Sequence, residues 1–187
     1  AYEHTKDKVP YEFAYLEGEL FDDYLHDMCI VQDFARLNRQ AIVDDICKNL
    51  KFTELESFST IHNYIDVKNK ILRKGAVSAQ AEEKIIIPLN MRDGCLICKG
   101  KGNADWNYSA PHGAGRAYNR TDTVNSFTLS QYKKEMNGIY SSSISRETLD
   151  ECPMAYKSSQ SIIDAIEPTV EIIERLIPVY NYKAGAR

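Results

Sequence analysis

Apolar residues recur at helical spacing over the first quarter of the chain. From Phe21 to about Leu50 they follow one another mostly at three- and four-residue steps, which places them on one face of a helix: Tyr24, Met28, Val31, Ala35, Ile42 and Ile46. The pattern predicts one long scaffold helix. His26 lies off this stripe among acidic residues and His4 lies in a polar leader, so we interpret both as solvated surface histidines.

Short apolar runs replace this spacing between about residue 60 and residue 108. They occupy residues 71–72, 85–87 and 95–98 and are separated by Gly, Asn and Asp, a pattern typical of strands and loops. Cys95 and Cys98 form a C-x-x-C sequence, but they would face opposite sides of a strand and no second pair completes a zinc site. We therefore interpret them as buried or half-buried thiols.

The last third of the chain predicts two more helices. A short one covers residues 130–137 and ends at Gly138. The serine pair at 158–159 can cap a second helix, which is interrupted or kinked near Pro168. Residues 177–182 predict a strand. The apolar stripe of that capped helix is Ile163, Ile166, Val170 and Ile173. Together the elements predict an α+β fold, with a mixed sheet and packed helices.

Composition narrows the class of protein. With 187 residues, 43% of them hydrophobic and 27% charged, the chain is expected to form one globular domain over residues 1–187. No apolar run approaches the roughly 20 residues of a membrane span, so we expect a soluble, cytoplasmic protein without a membrane partner. Its five cysteines are an odd set in a chain of this size, which favours free thiols over disulfides.

Charge is unevenly distributed along the chain. The net charge is −4, which argues weakly against a general nucleic-acid binder. Between Arg73 and Arg120, however, eight Lys/Arg and four Asp/Glu give a local net charge of +4. This part of the chain would suit a ligand that carries phosphate.

A single histidine precedes a small-residue turn inside this basic part. The sequence is Ser109-Ala110-Pro111-His112-Gly113-Ala114-Gly115-Arg116. Glycines allow backbone N–H groups to approach an anion, and arginine grips phosphate oxygens in a bidentate manner. A neutral imidazole is a competent nucleophile near pH 7. Phosphate chemistry and an ordinary structural turn are both consistent with these eight residues.

Ordered motifs along nearly the whole chain resemble the RtcB family of RNA ligases. They lie at residues 14–16, 24–28, 38–39, 61–65, 73–76, 88–91, 100–103, 109–116 and 150–157, with Lys183 near the end. The resemblance identifies the chain with the C-terminal part of that family. It divides residues 1–187 into a scaffold-helix region (1–50), a region of nucleotide and metal motifs (60–120), and C-terminal helices with a guanine-contacting end (121–187).

The resemblance implies an activity. The family joins RNA ends bearing a 2′,3′-cyclic phosphate or a 3′-phosphate to 5′-hydroxyl ends, using GTP and Mn²⁺. His112 would be the nucleophile that carries GMP as a phosphoramidate, and the GMP would pass to the RNA 3′-phosphate before the 5′-hydroxyl displaces it. His62 matches a manganese ligand, with Asn63 beside it at the nucleotide.

The remaining roles are also carried over by position. The nucleotide-binding set comprises Pro88, Leu89, Asn90, Met91, Cys95, Gly113, Ala114, Gly115, Arg116, Tyr156 and Lys183, the last two at the guanine. Contacts to RNA or phosphate are expected from Arg73, Lys74, Arg116 and Arg120. Taken alone, His62 also fits a core histidine, Tyr156 a core aromatic residue and Lys183 a solvated tail charge.

The chain departs from the family pattern at several positions. Leu89-Asn90 stands where the family has Gly-Ser, and Cys95 and Asn119 stand where it has serine. The bulk of Leu89 puts nucleotide affinity or specificity in question. The Asp/Cys, Asn-His and glycine-rich His motifs of the family's N-terminal half do not occur in this sequence. We therefore expect the missing half, in the same or a separate chain, to be needed for activity, and exposed packing surfaces to favour a homodimer.

Two alternatives remain open at this point. One is a non-catalytic guanine-nucleotide-binding or structural relative without a complete metal site. The other is a metal-dependent phosphohydrolase, or a ligase with a different end chemistry, which would release phosphate or pyrophosphate without joining RNA.

Overall fold

The computed structural model describes residues 1–183 and contains both helices and sheets, which confirms the predicted α+β class. The α-helices are α1 (Tyr2–Thr5), α2 (Glu19–Leu50), α3 (Arg120–Ser126), α4 (Leu129–Glu135) and α5 (Ser159–Ile166). The strands are β1 (His62–Asp66), β2 (Ile71–Ser78), β3 (Lys84–Asn90), β4 (Gly94–Gly100), β5 (Ser109–Pro111), β6 (Tyr140–Ser141), β7 (Val170–Leu176) and β8 (Tyr180–Asn181).

The chain divides into two compact units. The helical unit comprises Ala1–Ser57 and Tyr64–Leu72, and the core unit comprises Phe58–Asn63 and the residues from Arg73 onward. In the helical unit, α2 confirms the predicted long helix. It starts after Gly18, whose φ is 59°, and ends at Lys51, whose left-handed backbone directs its N–H to the Cys47 carbonyl. None of the 32 described residues of α2 is buried.

The described strands pair mostly in the antiparallel direction. β3, β4 and β7 form one sheet in that order, with Ile86 opposite Ile97 and Ile97 opposite Glu174. A second sheet has the order β1-β2-β5, and β6 pairs in parallel with β8. Pro88 lies on an edge strand, where its missing N–H costs no ladder bond, and the β3–β4 register shifts between Pro88 and Asn90.

Two hydrophobic clusters stabilise the core unit. The first contains Val77, Ala79, Ile85, Ile87, Leu89, Leu96, Cys98, Ala110, Ala114, Ile162, Ile166 and Val170. The second contains Met91, Tyr132, Met136, Leu149, Cys152 and Ala155. Because Leu89 belongs to one cluster and Met91 to the other, the end of β3 and the turn after it are fixed by packing on both sides.

One helix prediction was wrong at its C-terminal end. Ser158 does cap α5, since its side chain accepts the N–H of Ser161, but the helix ends at Ile166. Val170 and Ile173, which were assigned to the helical stripe, lie in β7. Pro168 has no N–H to continue the helical hydrogen bonds, and the next segment gains ladder bonds to β4. The predicted strand over residues 177–182 is reduced to β8.

The cysteine and histidine interpretations agree with the structure. All five cysteines are free thiols, Cys98 being buried and Cys95 half-buried. His4 and His26 are exposed. The predicted helix over residues 130–137 is α4, whose N-terminus has a capping box between Thr128 and Gln131. Within residues 1–183, no helix combines the length and apolar character needed to cross a membrane.

Candidate active site

A cavity of about 900 Å³ opens in the core unit. Its walls come from the end of β3, the loop after β5, the turns around residues 147–156 and the segment from Leu176 to Lys183. Most of the predicted site residues line it: Pro88, Leu89, Asn90, Met91, Cys95, His112, Gly113, Ala114, Gly115, Arg116, Arg120, Tyr156 and Lys183. Segments almost 100 residues apart in sequence therefore meet at one site of a size common for small-molecule ligands.

His112 follows directly after β5 and is held by β2. β5 pairs antiparallel with β2, placing Pro111 opposite Ala76. The His112 N–H then donates to the Gly75 carbonyl oxygen at 3.3 Å. The His112 ring stacks on His62, with ring centroids 5.1 Å apart and planes 14° from parallel. The fold thus brings together two histidines that are 50 positions apart.

Asn63 holds the part of β2 that contacts His112. Its side-chain oxygen accepts the N–H of Gly75 at 2.6 Å, and its own backbone is left-handed with a φ of 54°. Gly75 also has a positive φ, 69°, which side chains rarely adopt. Asn63 therefore fixes the residue whose carbonyl accepts the N–H of His112.

The small-residue turn after His112 rests on Pro88. The Ala114 N–H donates to the Pro88 carbonyl oxygen at 3.0 Å, and a Cβ on Gly113 would lie 3.1 Å from that same oxygen. Gly115 has a φ of 70°, and its carbonyl accepts the N–H of Lys157 at 3.2 Å. The Ala114 N–H is thus already bonded to Pro88 and is not a donor for an anion. An anion would have to use the N–H groups of the adjacent residues.

The unusual residues at 89–90 have structural roles. The Leu89 side chain is buried in the first hydrophobic cluster. The Asn90 side-chain oxygen accepts the N–H groups of Arg92 and Asp93 at 3.0 and 2.9 Å, and its Nδ2 donates to the Asp93 carboxylate at 2.9 Å. Asn90 therefore stabilises the β3–β4 turn in the manner of an Asx turn. Their effect on nucleotide affinity stays a prediction.

Glu151 contacts four other side chains of the cavity wall. Its Oε2 accepts the Tyr156 hydroxyl at 2.6 Å and lies 3.4 Å from Lys183 Nζ. Its Oε1 lies 2.7 Å from Arg120 Nη1 and 3.4 Å from Arg116 Nη1. One carboxylate therefore contacts four residues that were each predicted to meet nucleotide, phosphate or RNA.

These contacts shift the pKa values of Glu151 and Tyr156. Burial by itself raises the pKa of Glu151, but the Tyr156 hydrogen bond and the charges of Lys183 and Arg120 outweigh it, so the pKa lies below its ordinary value. Burial, followed by the bond to Glu151, raises the pKa of Tyr156 to about 12. At neutral pH the pair consists of a carboxylate acceptor and a phenol donor.

Arg116 lies at the cavity with most of its donors engaged. Its guanidinium carbon lies 5.2 Å from the centre of the Tyr156 ring. Its N–H groups reach the Tyr118 carbonyl at 3.0 Å, Thr123 Oγ1 at 3.4 Å, the Glu151 carboxylate and the Asp150 carbonyl. These acceptors hold Arg116 in place and compete with any phosphate for its donors.

The other predicted basic contacts occupy different environments. Arg73 is 2% exposed, and its guanidinium donates to Ser109 Oγ at 2.9 Å and to the Tyr108 carbonyl at 3.3 Å. Lys74, its neighbour on β2, is exposed. Neither lines the cavity, whereas Arg120 does and also pairs with Asp150. The structure thus separates Arg73 and Lys74 from the cavity residues.

The local basic excess is also partly neutralised in three dimensions. Lys99 lies 3.3 Å from the carboxylates of both Glu82 and Glu171, and Lys101 lies 2.7 Å from that of Glu167. The acids of β7 and the turn before it therefore offset charges that a count along the sequence leaves unpaired.

Lys183 is positioned by the backbone around it. β8 pairs with β6, and the Asn181 side chain donates to the Met91 carbonyl at 2.7 Å. The Lys183 N–H then donates to Ser143 Oγ at 2.9 Å. Sequence reasoning had not assigned roles to Asn181 or Glu151, although Glu151 lay inside the recognised 150–157 motif.

His62 is the residue predicted to bind a metal ion, and its ring stacks on that of His112. Imidazole is a suitable donor for a divalent ion such as Mn²⁺, but among residues 1–183 no group of three or more His, Cys, Asp or Glu side chains could enclose one. The described residues alone do not form a complete manganese site.

Comparisons with known proteins agree with this architecture. The model of the family described as tRNA-splicing ligase RtcB matches residues 4–184. The RNA-splicing ligase RtcB of Escherichia coli K12 is 33% identical over 187 aligned positions, covering 90% of this chain and 46% of the relative. The tRNA-splicing ligase RtcB of Aeropyrum pernix is 29% identical, covering 72% of this chain and 36% of the relative.

The chain spans a little under half the length of its relative from E. coli K12. The family match nevertheless extends over nearly all of the present sequence and includes every residue of the cavity wall. The chain belongs to the RtcB family.

Proposed function

We propose that the cavity binds a guanine nucleotide and that His112 carries GMP during RNA ligation. The reaction would join a 2′,3′-cyclic phosphate or 3′-phosphate end to a 5′-hydroxyl end, with GTP and Mn²⁺, in an assembly that includes the other half of an RtcB-type enzyme. One observation carries this proposal: His112 lines the same cavity as the predicted nucleotide residues Tyr156 and Lys183.

His112 is suited to the nucleophilic role by its surroundings. Its backbone is tied to Gly75, and its ring lies against His62, so few orientations are open to it. One ring nitrogen forms the bond to the α-phosphorus while pyrophosphate leaves, and the GMP then moves to the RNA 3′-phosphate. Because the ring is fixed before the nucleotide arrives, less orientational entropy is lost at the reacting atoms.

The manganese requirement in this proposal comes from family membership alone. His62 does not belong to a complete ligand set among the described residues, so the other half of the enzyme would have to supply the remaining ligands. Exposed Lys74 and cavity-lining Arg120 are the basic residues that we propose for contacts with RNA.

Intact-mass spectrometry after incubation with GTP and Mn²⁺ tests the proposal. We expect a mass gain equal to one guanylyl group, that is GMP less one water, when the chain is combined with the N-terminal half of the E. coli K12 relative. The gain should disappear in His112→Ala and persist in His26→Ala, which removes an exposed histidine of α2. A GMP adduct that survives in His112→Ala would refute the assignment of the nucleophile.

A second function is favoured by the incomplete ligand group and by the packed Leu89 side chain. A non-catalytic relative would bind GMP in the same cavity without forming an adduct. Raised thermal stability with GMP, together with no mass gain in any assembly, would support this alternative.

A further inference from the structure

The polar contacts around Tyr156 and Lys183 converge on a residue that has no assigned role. Glu151 Oε2 accepts the Tyr156 hydroxyl at 2.6 Å, and the Lys183 ammonium nitrogen lies 3.4 Å from the same oxygen. The Glu151 side chain is 15% exposed, whereas that of Lys183 is 40% exposed. A mostly buried carboxylate thus holds two residues that face the cavity.

The direction of these bonds determines what the two residues can offer to a ligand. The single hydroxyl proton of Tyr156 is directed to Glu151, so the lone pairs of its phenol oxygen remain as acceptors. Lys183 has three N–H donors, and Glu151 can accept only part of them. The pair therefore presents one acceptor and one donor beside each other.

This pattern complements one edge of a 6-oxopurine when the nucleotide phosphate lies at His112 and the base is oriented with position 1 at the phenol oxygen and position 6 at the ammonium group. Guanine carries an N–H donor at N1 next to a carbonyl acceptor at O6, while adenine has an acceptor at N1 and a donor at N6. If the phenol proton were not held by Glu151, the hydroxyl could rotate to donate, and the distinction between the two bases would weaken.

We infer that Glu151 is a positioning residue, which orients the Tyr156 hydroxyl and the Lys183 ammonium group to recognise a 6-oxopurine base. The inference rests on the proposed guanine-nucleotide function and adds to it the residue that sets base selectivity. Glu151 acts through its two neighbours and does not need to touch the nucleotide itself.

The negative charge of Glu151 is balanced within the wall. Arg120 lies 2.7 Å and Arg116 3.4 Å from its other oxygen, so the carboxylate does not confront the ligand as an unpaired charge. A charged hydrogen bond of this kind is stronger than a neutral one, which makes Glu151 a firmer anchor for a phenol than glutamine would be.

Equilibrium binding of GMP and AMP to the chain, combined with the N-terminal half of the E. coli K12 relative as in the mass-spectrometry test, tests this inference. We expect wild type to prefer GMP, and Glu151→Gln to weaken GMP binding by about tenfold with little change for AMP. Glu167→Gln is the matched control, because Glu167 is also a carboxylate paired with a lysine, Lys101, but lies outside the cavity wall. It should bind both nucleotides as wild type does.

Tyr156→Phe provides a second arm that keeps the Glu151 charge. It should also weaken GMP binding, and the double variant with Glu151→Gln should bind no more weakly than about the worse single variant, because both changes break one unit. Additive losses, or a Tyr156→Phe variant that binds GMP like wild type, would overturn the inference even if Glu151→Gln did not fold.

A spectroscopic measurement separates this role from simple stabilisation. In protein labelled with 3-fluorotyrosine, the ¹⁹F resonance of Tyr156 should titrate at lower pH in Glu151→Gln, because the carboxylate bond raises the pKa of Tyr156. An unchanged titration would contradict the coupling. Failure of wild type to bind GMP would instead overturn the proposed function, and this inference with it.

Discussion

Strands β3 and β4 of the core unit and the long helix of the helical unit all carry apolar residues, but the two strands bury most of theirs and α2 buries none. Ile87 in β3 is fully buried, whereas Val31 on the predicted apolar face of α2 is 58% exposed. Ile42 and Ile46 on the same face are exposed as well. Periodicity therefore predicts which element forms, because it reflects backbone geometry, but it does not predict how far each apolar face is buried.

The candidate active site lies entirely in the unit that buries its apolar residues. Every residue of the cavity wall belongs to the core unit, where β3 is packed between two hydrophobic clusters. A constellation placed on packed strands keeps its geometry better than one on loosely packed elements. The two units should therefore differ in three measurable properties: stability towards mutation, thiol reactivity and the dependence of stability on pH.

The largest contrast is expected in stability. Ile87→Ala should lower the free energy of unfolding by about 2–5 kcal/mol, because it leaves a cavity in the first cluster. Ile30→Ala should change it by less than about 0.5 kcal/mol, since that side chain already meets solvent. Urea denaturation followed by circular dichroism measures both. Equal losses would mean that α2 is buried in solution.

A second contrast concerns thiol reactivity. Burial raises the pKa of Cys98 to about 11, so only about one molecule in 1000 carries its thiolate at pH 8. Cys29 on α2 is exposed. With iodoacetamide at pH 8, Cys29 should react at least about 100-fold faster than Cys98, as followed by peptide mass mapping. The difference should vanish in denaturant, and similar rates in the native protein would contradict the described core.

The smallest contrast concerns the dependence of stability on pH. The folded-state pKa of Glu151 lies below its unfolded value, so the unfolded state binds more protons as acid is added. Its contribution is complete above the ordinary carboxyl pKa and is lost as the pH falls through the folded-state pKa. Glu151→Gln should therefore cost about 1.5 kcal/mol at pH 7 and less at pH 3, which lies below the ordinary carboxyl pKa.

Glu17→Gln supplies the comparison from the helical unit. The pKa of Glu17 is also lowered, chiefly by its hydrogen bond to Lys8, but this pair is exposed. We expect no difference from wild type in denaturation curves at either pH. A pH-dependent loss in Glu17→Gln as large as that in Glu151→Gln would remove the distinction between the units.

Local sequence signals predicted much of this fold. Three- and four-residue steps located α2, and short apolar runs located β3 and β4. The same spacing misled at Val170 and Ile173, because V-E-I-I-E-R-L has apolar residues that fit either a helix or a strand. Pairing with β4, a contact more than 70 residues away in sequence, decided between them.

The sequence predicted which residues belong to the site but not the hydrogen bonds and ion pairs between them. The motifs indicated His112, Tyr156 and Lys183, all of which line one cavity. They did not reveal that Glu151 joins two of them, since that depends on where β8 brings Lys183. Nor did they reveal that Arg73 is buried against Ser109, because burial of a charged side chain requires tertiary partners.

Because α2 is continuous, it can serve as a reference for distance measurements. Cys29 and Cys47 both lie on this helix, 18 residues apart, which corresponds to about 27 Å along the axis. Spin labels on these two thiols would form an internal ruler of fixed length. Pulsed electron spin resonance could then follow whether the helix stays straight while substrates or additional polypeptide are added.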